Sequence, residues 1–303
     1  MTGAPPASSE AITFAIPFYS GRAFLGRAIE SVLAQRDTRW QAFVCDNASP
    51  EPGIEELVRE AGQGKIGYVR NASNVGMVGN FNRCLDHAET DLVTLLHADD
   101  ELTPDYCATF RAGAARHPRA AAVFCRAAII GADHRRRFSL ADVVKDLINP
   151  SSHHELVLEG EPGVRALLRA NFITAPTLCF RKSVLAQRRF AVGSKFVLDW
   201  ELTMALLLDG QTLVGLPDRC YRYRRHDDNA TQELTRTQLR FREESAFYDQ
   251  MQVTARSRGW HACEQIATRK RMVKLNVAYG ALKSAAQLHL GDARRGFKLL
   301  REL

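Results

Sequence analysis

A regular alternation narrows the possible folds of this sequence more than any other feature. Over roughly the first 130 residues, strand-length apolar runs take turns with stretches whose apolar residues recur at helical spacing. ITFAIPFY is the first run, stopped by Pro17 and the Ser20-Gly21 turn. Phe24, Leu25, Ala28, Ile29, Val32 and Leu33 then form one helical stripe. WQAFVCD, KIGYVRN, DLVTLLH and AAVFCRAAII predict four further strands. Helices are predicted over GIEELVREAG and MVGNFNRCLDHA, and over a stretch through Arg116 that starts at Thr103-Pro104, with Thr103 as N-cap and Pro104 in the first turn. Near-continuous apolar strands joined by helices mean an α/β fold with a mostly parallel central sheet flanked by helices. Such sheets bind ligands beyond the carboxyl ends of their strands. Three strands end there in polar groups: Pro17 to Tyr19, Asp46-Asn47, and His97 to Asp100.

The pattern loosens after residue 131. DHRRRFSLADVVKDLINPSSHHELVLEG mixes charges, a Pro and a His pair, and reads either as an active-site lid or as an ordinary surface excursion. GVRALLRANF is helical and TAPTLCF strand-like, and LDWELTMALLLDG is a strongly apolar helix with Asp199 and Glu201 at its start. TLVGLPDRCYRYRRH predicts paired short strands, and two or three helices follow from about Thr235.

Composition excludes several classes. A chain of 303 residues with 46% hydrophobic and 25% charged residues is neither disordered nor collagen-like. No apolar run approaches the ~20 residues of a membrane-spanning helix. The seven cysteines are scattered without a CxxC pair, against both a zinc site and a disulfide framework. MTGAPPASSE lacks a basic and an apolar signal region, so a reducing cytoplasm is the expected compartment, with contact at the inner membrane face left open. The net charge of +7 is concentrated at the end, since Arg219 to Leu303 carries 18 basic and 9 acidic residues. That segment is either a solvated helical face or an attractor of anionic partners. With no GxxxxGK[ST] loop and no GxGxxG, neither a P-loop nor a dinucleotide site is supported.

LLHADDEL delivers two adjacent carboxylates at a strand end. Such a pair either caps a following helix or holds Mg²⁺ or Mn²⁺, hard cations that share oxygen ligands with phosphates. The succession IPFYSGRAFLGRAIESVLAQ, FVCDNAS, NVGMVGNFNRCLDHA and LLHADDELTPDY, in that order and spacing over about 110 residues, resembles glycosyltransferase family 2. The resemblance implies a GT-A fold and an inverting enzyme that uses nucleoside-diphosphate sugars. It places Pro17 and Tyr19 along the nucleotide pocket, Asp46 on a pyrimidine base, and Asn74 and Asn80 beside the nucleotide. Asp99, followed by Asp100, matches the last acid of the family's DxD metal motif, with His97 in place of its first acid. Asp199 matches the family's general base, the carboxylate that takes the acceptor hydroxyl proton. Glu201 is the competing acid, or a complement to the helix dipole. His226 in YRYRRHDDNATQ matches a family His that reaches the metal or pyrophosphate, and its arginine neighbours are candidates for phosphate oxygens. His134 and His153-His154 lack motif support and read as solvent-facing.

The resulting expectation is a metal-dependent, inverting glycosyltransferase moving a sugar from a UDP- or dTDP-sugar to an acceptor hydroxyl, without a nucleic-acid partner. Residues 1–230 form the catalytic domain, with 10–130 binding nucleotide and 131–230 the acceptor, and 231–303 a helical extension. Asn171 to Thr177 fall where the acceptor pocket is expected. Arg256, Arg258, Arg269, Lys270, Arg271 and Lys274 serve a membrane contact, a homodimer or a helical cap on the sheet. Two rivals stand beside this reading. A nucleotidyltransferase needs a Gly-rich basic loop after the first strand, of which SGRAFLGR is a poor version. A binding module that kept the fold without catalysis is the non-enzyme alternative.

Overall fold

Ile12, Phe14, Ile16 and Phe18 of β1 (Ile12–Phe18) project to one side of their strand and Ala15 to the other, and both sides are buried. A strand apolar on both faces belongs in the middle of a covered sheet, and β1 lies there. It pairs in parallel with β2 (Trp40–Asp46) on one flank and with β4 (Leu92–Leu95) on the other. The structure, a computed structural model, describes residues 11–137, 154–225 and 234–303.

The main sheet has eight strands in the order β3-β2-β1-β4-β9-β6-β10-β8. The others are β3 (Gly67–Arg70), β6 (Ala120–Phe124), β8 (Leu156–Leu158), β9 (Cys179–Arg181) and β10 (Thr212–Gly215). Strands β9 and β8 run antiparallel to their neighbours, and the remaining pairings are parallel. A second sheet places β11 (Tyr221–Arg225) between β5 (Glu101–Leu102) and β7 (Ala127–Gly131).

One face of the main sheet packs on α1 (Arg22–Leu33), α2 (Ile54–Ala61) and α4 (Tyr106–Arg116), through Leu25, Ile29, Val58 and Phe110. The other packs on α3 (Gly76–His87), α5 (Gly160–Arg169) and α6 (Leu198–Leu208), through Phe81, Leu167 and Leu206. Four further helices close the described chain: α7 (Leu239–Ser257), α8 (His261–Arg269), α9 (Arg271–Ala286) and α10 (Leu290–Glu302). Helix α7 joins the α6 side of the core. The Trp200 ring lies 4.6 Å from Phe247 and 5.3 Å edge-on to Tyr248, whose hydroxyl donates to the Leu168 carbonyl at 2.7 Å.

Three local expectations change. Helix α4 begins at Tyr106 rather than at Thr103-Pro104. Its Cys107 amide donates to Oε1 of Gln35, just beyond α1, at 2.9 Å, while the Gln35 Nε2 donates to the Thr103 carbonyl. A distant glutamine therefore does the capping that was expected of the Thr103 hydroxyl. AAVFCRAAII divides into β6 and β7, because the chain leaves the main ladder at Arg126, whose amide bonds the Asp218 carbonyl. The strands in TLVGLPDRCYRYRRH do not pair with each other. β10 stays in the main sheet, and β11 joins β5 and β7 in the second.

Candidate functional site

Because β2, β1 and β4 are adjacent and parallel, their carboxyl ends lie side by side. The register carries past the strands: the Asn47 amide bonds the Phe18 carbonyl at 2.8 Å, and the Asn71 amide bonds the Asp46 carbonyl at 2.8 Å. This edge gathers Pro17 and exposed Tyr19 from β1, Asp46 and Asn47 from β2, and the His97 to Asp100 turn after β4.

Ligand atoms of His97, Asp99 and Asp100 lie within 4.8 Å of one another. Their environments differ. Asp100 is 1% exposed, and both its oxygens are engaged: the Tyr221 hydroxyl donates to Oδ2 at 2.9 Å and the Arg224 amide to Oδ1 at 2.7 Å. Burial pushes its carboxyl well above the usual range, and the Asp99 charge adds to the effect. The ring of His97 stacks on Phe81 of α3, centroids 5.5 Å apart, and burial lowers its pKa against the pull of Asp99. Asp99 is partly exposed between them.

Arg224 organises this turn. It is fully buried, with Nε donating to the Asp99 carbonyl at 2.7 Å, Nη1 to the Gly131 carbonyl at 2.9 Å and Nη2 to Glu101. The Phe24 ring of α1 lies 5.0 Å from its guanidinium carbon. The expectation that the arginines beside His226 meet phosphate therefore fails for Arg224, whose donors are committed to the protein. His134 is exposed, as expected, and also bonds Glu101 Oε1 through Nδ1 at 2.7 Å. His226 and His153 lie outside the described residues, and His154 is exposed.

At the nucleotide end Asp46 is 0% exposed. Its Oδ1 accepts the Ser49 amide at 2.7 Å, and its Oδ2 accepts the Tyr68 hydroxyl and the Arg70 guanidinium. Burial and the Asp46 carboxylate push the Tyr68 phenol up to about 12. Asn47 ties the β2 end to the α3 entry, since its Nδ2 donates to Asn74 Oδ1 at 2.8 Å and its Oδ1 accepts the Val75 amide at 2.9 Å. The φ of 76° at Gly76 lets the chain turn there into α3, with the Gly76 amide on Asn74 Oδ1. Asn80 is buried beneath, donating to the Cys45 carbonyl at 3.0 Å and accepting from Asn71 at 2.9 Å. Asn74 is exposed at the surface of this network. Tyr68, Arg70 and Asn71 were not singled out from sequence. The end of KIGYVRN carried the signal, because the rule that drew attention to Asp46-Asn47 applies equally to the next strand.

Asp199 and Glu201 both sit in the first turn of α6. Two positions apart on a helix, their side chains point roughly 200° from each other. Glu201 accepts a 2.8 Å bond from the Ser194 hydroxyl and lines a cavity of about 660 Å³ with Leu202, Phe247 and Met251. Burial raises its carboxyl, and Glu243 adds to the effect. Asp199 is partly exposed and is not part of that lining. The α6 entry connects to the carboxylate turn through aromatic contacts: Phe190 meets Phe81 edge-on at 5.7 Å, and Phe81 stacks on His97. Asn82 clamps the same segment, exchanging two bonds with the Phe190 backbone at 2.9 and 3.0 Å.

A mostly parallel sheet with a carboxylate turn at its carboxyl edge and a helical C-terminal region is the GT-A architecture of glycosyltransferases. The glycosyl transferase family 2 model matches residues 13–187, more than half of the chain, which therefore belongs to that family. The succinoglycan biosynthesis protein ExoW of Rhizobium meliloti is 35% identical over 100 residues, 31% of each chain. The chain thus spans about a third of the length of the curated relatives it matches. Among solved structures, TarS 1-349 of S. aureus in complex with UDP-GlcNAc is similar at TM-score 0.63 and 13% identity, over 96% of this chain and 92% of that one. Mannosyltransferase PcManGT of Pyrobaculum calidifontis, in complex with GDP-Man and Mn²⁺, is similar at TM-score 0.59 and 17% identity, over 99% and 84%. These likenesses show the fold.

Proposed function

We propose that this glycosyltransferase moves a sugar from a UDP- or dTDP-sugar to an acceptor hydroxyl with inversion at the anomeric carbon. The observation that carries the reading is the His97, Asp99 and Asp100 cluster beside the ends of β1 and β2. Carboxylate oxygens at this spacing fit Mg²⁺ or Mn²⁺, hard ions that take oxygen ligands. Asp99 is the proposed principal ligand, His226 a proposed second one on the sequence resemblance alone, and Asp100 places the turn from beneath. The ion, when bound, offsets the negative charge that develops on a leaving diphosphate. TarS binds UDP-GlcNAc and PcManGT binds GDP-Man with Mn²⁺, which supports a nucleotide-sugar donor at this edge.

Tyr19 and Pro17 flank the nucleotide, and Asn74 and Asn80 hold the rim beside it. Asp46 receives the base N–H by exchanging one of its present donors, Tyr68 or Arg70, for the ligand. Asp199 takes the acceptor proton as the bond to the anomeric carbon forms, a single displacement that inverts configuration and needs one protein carboxylate. Glu201, turned toward the Ser194 hydroxyl, keeps a structural place. Residues 10–130 are the proposed donor half and 131–230 the acceptor half, with the helices after 231 as an extension.

The test is a thermal-shift comparison of UDP, dTDP and GDP compounds with and without Mn²⁺, since a ligand of the native state raises its stability by RT ln(1 + [L]/Kd). A Mn²⁺-dependent shift with UDP or dTDP compounds is expected. A shift with GDP compounds alone replaces the pyrimidine assignment, and no shift removes Asp46 and Asp99 from the donor site. Asp199→Asn is expected to keep the donor shift while nucleotide release in the presence of acceptor saccharides falls by about 10²–10⁴-fold. Full turnover in that variant removes Asp199 from the mechanism.

A further inference from the structure

Helix α9 is apolar on two opposite sides. Val273, Val277 and Ala281 are buried against the protein, while Leu275, Tyr279 and Leu282 are each more than 60% exposed. A surface helix needs only one apolar stripe, and the second is not used in packing among the described residues. Helix α10 repeats the arrangement, with Ala293, Gly296 and Leu299 buried and Leu290 and Phe297 exposed. The turn between the two helices adds Leu288, 82% exposed and held at a φ of 60°.

The two exposed stripes lie on one side of the hairpin. The helices meet at Ala281 and Gly296, so closely that a Cβ at Gly296 falls 2.8 Å from that of Ala281. At 100° per residue, each stripe lies about 120° from its contact residue, in the same sense of chain numbering. Because the partners are antiparallel, equal rotations bring both stripes to the same side. The result is a continuous apolar strip from Leu275 and Tyr279 through Leu282, Leu288 and Leu290 to Phe297.

Charge says what this strip faces. Residues 271–303 carry seven Lys and Arg against two acids. Arg271 is one turn from Leu275, Lys283 adjoins Leu282, and Arg294, Lys298 and Arg301 surround Phe297, all of them exposed. A second copy would set this basic rim against itself across a twofold axis. Nucleic acid would not take up the apolar strip. An anionic bilayer meets both features, taking leucine and phenylalanine side chains below the headgroups, tyrosine at their level and basic side chains on their phosphates. We propose that the α9–α10 hairpin docks this glycosyltransferase on an anionic membrane surface, lying in the interface without crossing it. Among the described residues no helix is long and apolar enough to cross.

The experiment is co-sedimentation of the full chain with vesicles of phosphatidylcholine alone and of phosphatidylcholine mixed with phosphatidylglycerol, alongside light scattering without vesicles. Binding to the mixed vesicles and not to the neutral ones is expected, weakening with salt. Arg294→Gln, Lys298→Gln and Arg301→Gln are each expected to weaken it about fivefold. Leu275→Ser with Leu282→Ser is expected to abolish it while leaving the circular dichroism and the donor thermal shift unchanged, since these side chains are exposed. No sedimentation with mixed vesicles, or equal sedimentation with neutral ones, overturns the proposal. A stable dimer that this double variant dissociates, with vesicle binding intact, assigns the strip to a second copy instead. Donor binding is read separately, so failure here leaves the sugar-transfer reading standing.

Discussion

The backbone amide of Arg224 donates to Oδ1 of Asp100 at 2.7 Å while the same residue's Nε reaches the Asp99 carbonyl at 2.7 Å. One buried arginine on β11 thus grips both residues of the acidic pair, by one side chain and one backbone. The second sheet is small, but it sets the position of the carboxylates that the first sheet delivers.

Arg224→Met is therefore expected to destabilise the protein by about 3–5 kcal/mol, because it removes the fully buried cation from Glu101, leaving Arg222 and His134 on that carboxylate, and frees the Asp99 and Gly131 carbonyls. Urea unfolding measures the loss, and a midpoint equal to wild type contradicts it.

The two acids are expected to separate by readout. Asp99→Asn, at a partly exposed position, should unfold like wild type yet lose Mn²⁺-dependent donor binding. Asp100→Ala strips partners from the Tyr221 hydroxyl and the Arg224 amide and should cost about 3 kcal/mol of stability. Equal thermal stability in the two variants refutes the division of roles.

Asn47→Ala removes the bonds that tether Asn74 and Val75 to the end of β2. The expected outcome is a weakened donor thermal shift with a loss of stability of about 1–2 kcal/mol. An unchanged donor affinity shows that the α3 entry is held by other means.

Asp37 supplies a pH dependence far from the site. Hydrogen bonds from Arg39, and then from Arg111, hold its carboxyl well below the usual range. A depressed folded-state value means its stabilisation is present above the unfolded pKa and disappears as pH falls through the folded one. Wild type is thus expected to exceed Asp37→Asn by about 2 kcal/mol at pH 7, with the gap closing progressively below about pH 4. A gap that stays constant into acid assigns the difference to packing.

Gly296→Val places atoms where Ala281 already stands. Overpacking of this kind costs about 1–3 kcal/mol, and the hairpin is expected to loosen first, read as faster amide exchange across α9 and α10. Unchanged exchange rates show that the helices adjust without strain.

Much of this architecture follows from local pattern. The alternation of ITFAIPFY, WQAFVCD and DLVTLLH with helical stripes determines a covered parallel sheet, because buried strands have no polar face to alternate. The same pattern brings Tyr19, Asp46 and Asp99 to one edge, because parallel strands end together. Tertiary structure decided what long-range partners determine. Gln35 caps α4 across 72 residues of chain, a contact no local window contains. Arg224, which reads as one basic residue among several in YRYRRH, becomes a buried support because β11 leaves β10 for a separate sheet. Asp46 and Asp100 read as ligands-in-waiting, yet burial surrounds each with protein donors, and Asp99 alone of the acidic pair keeps partial exposure. Sequence orders the residues along strands whose side-chain period is 2; which carboxylate meets solvent and which meets an arginine depends on packing between elements far apart in the chain.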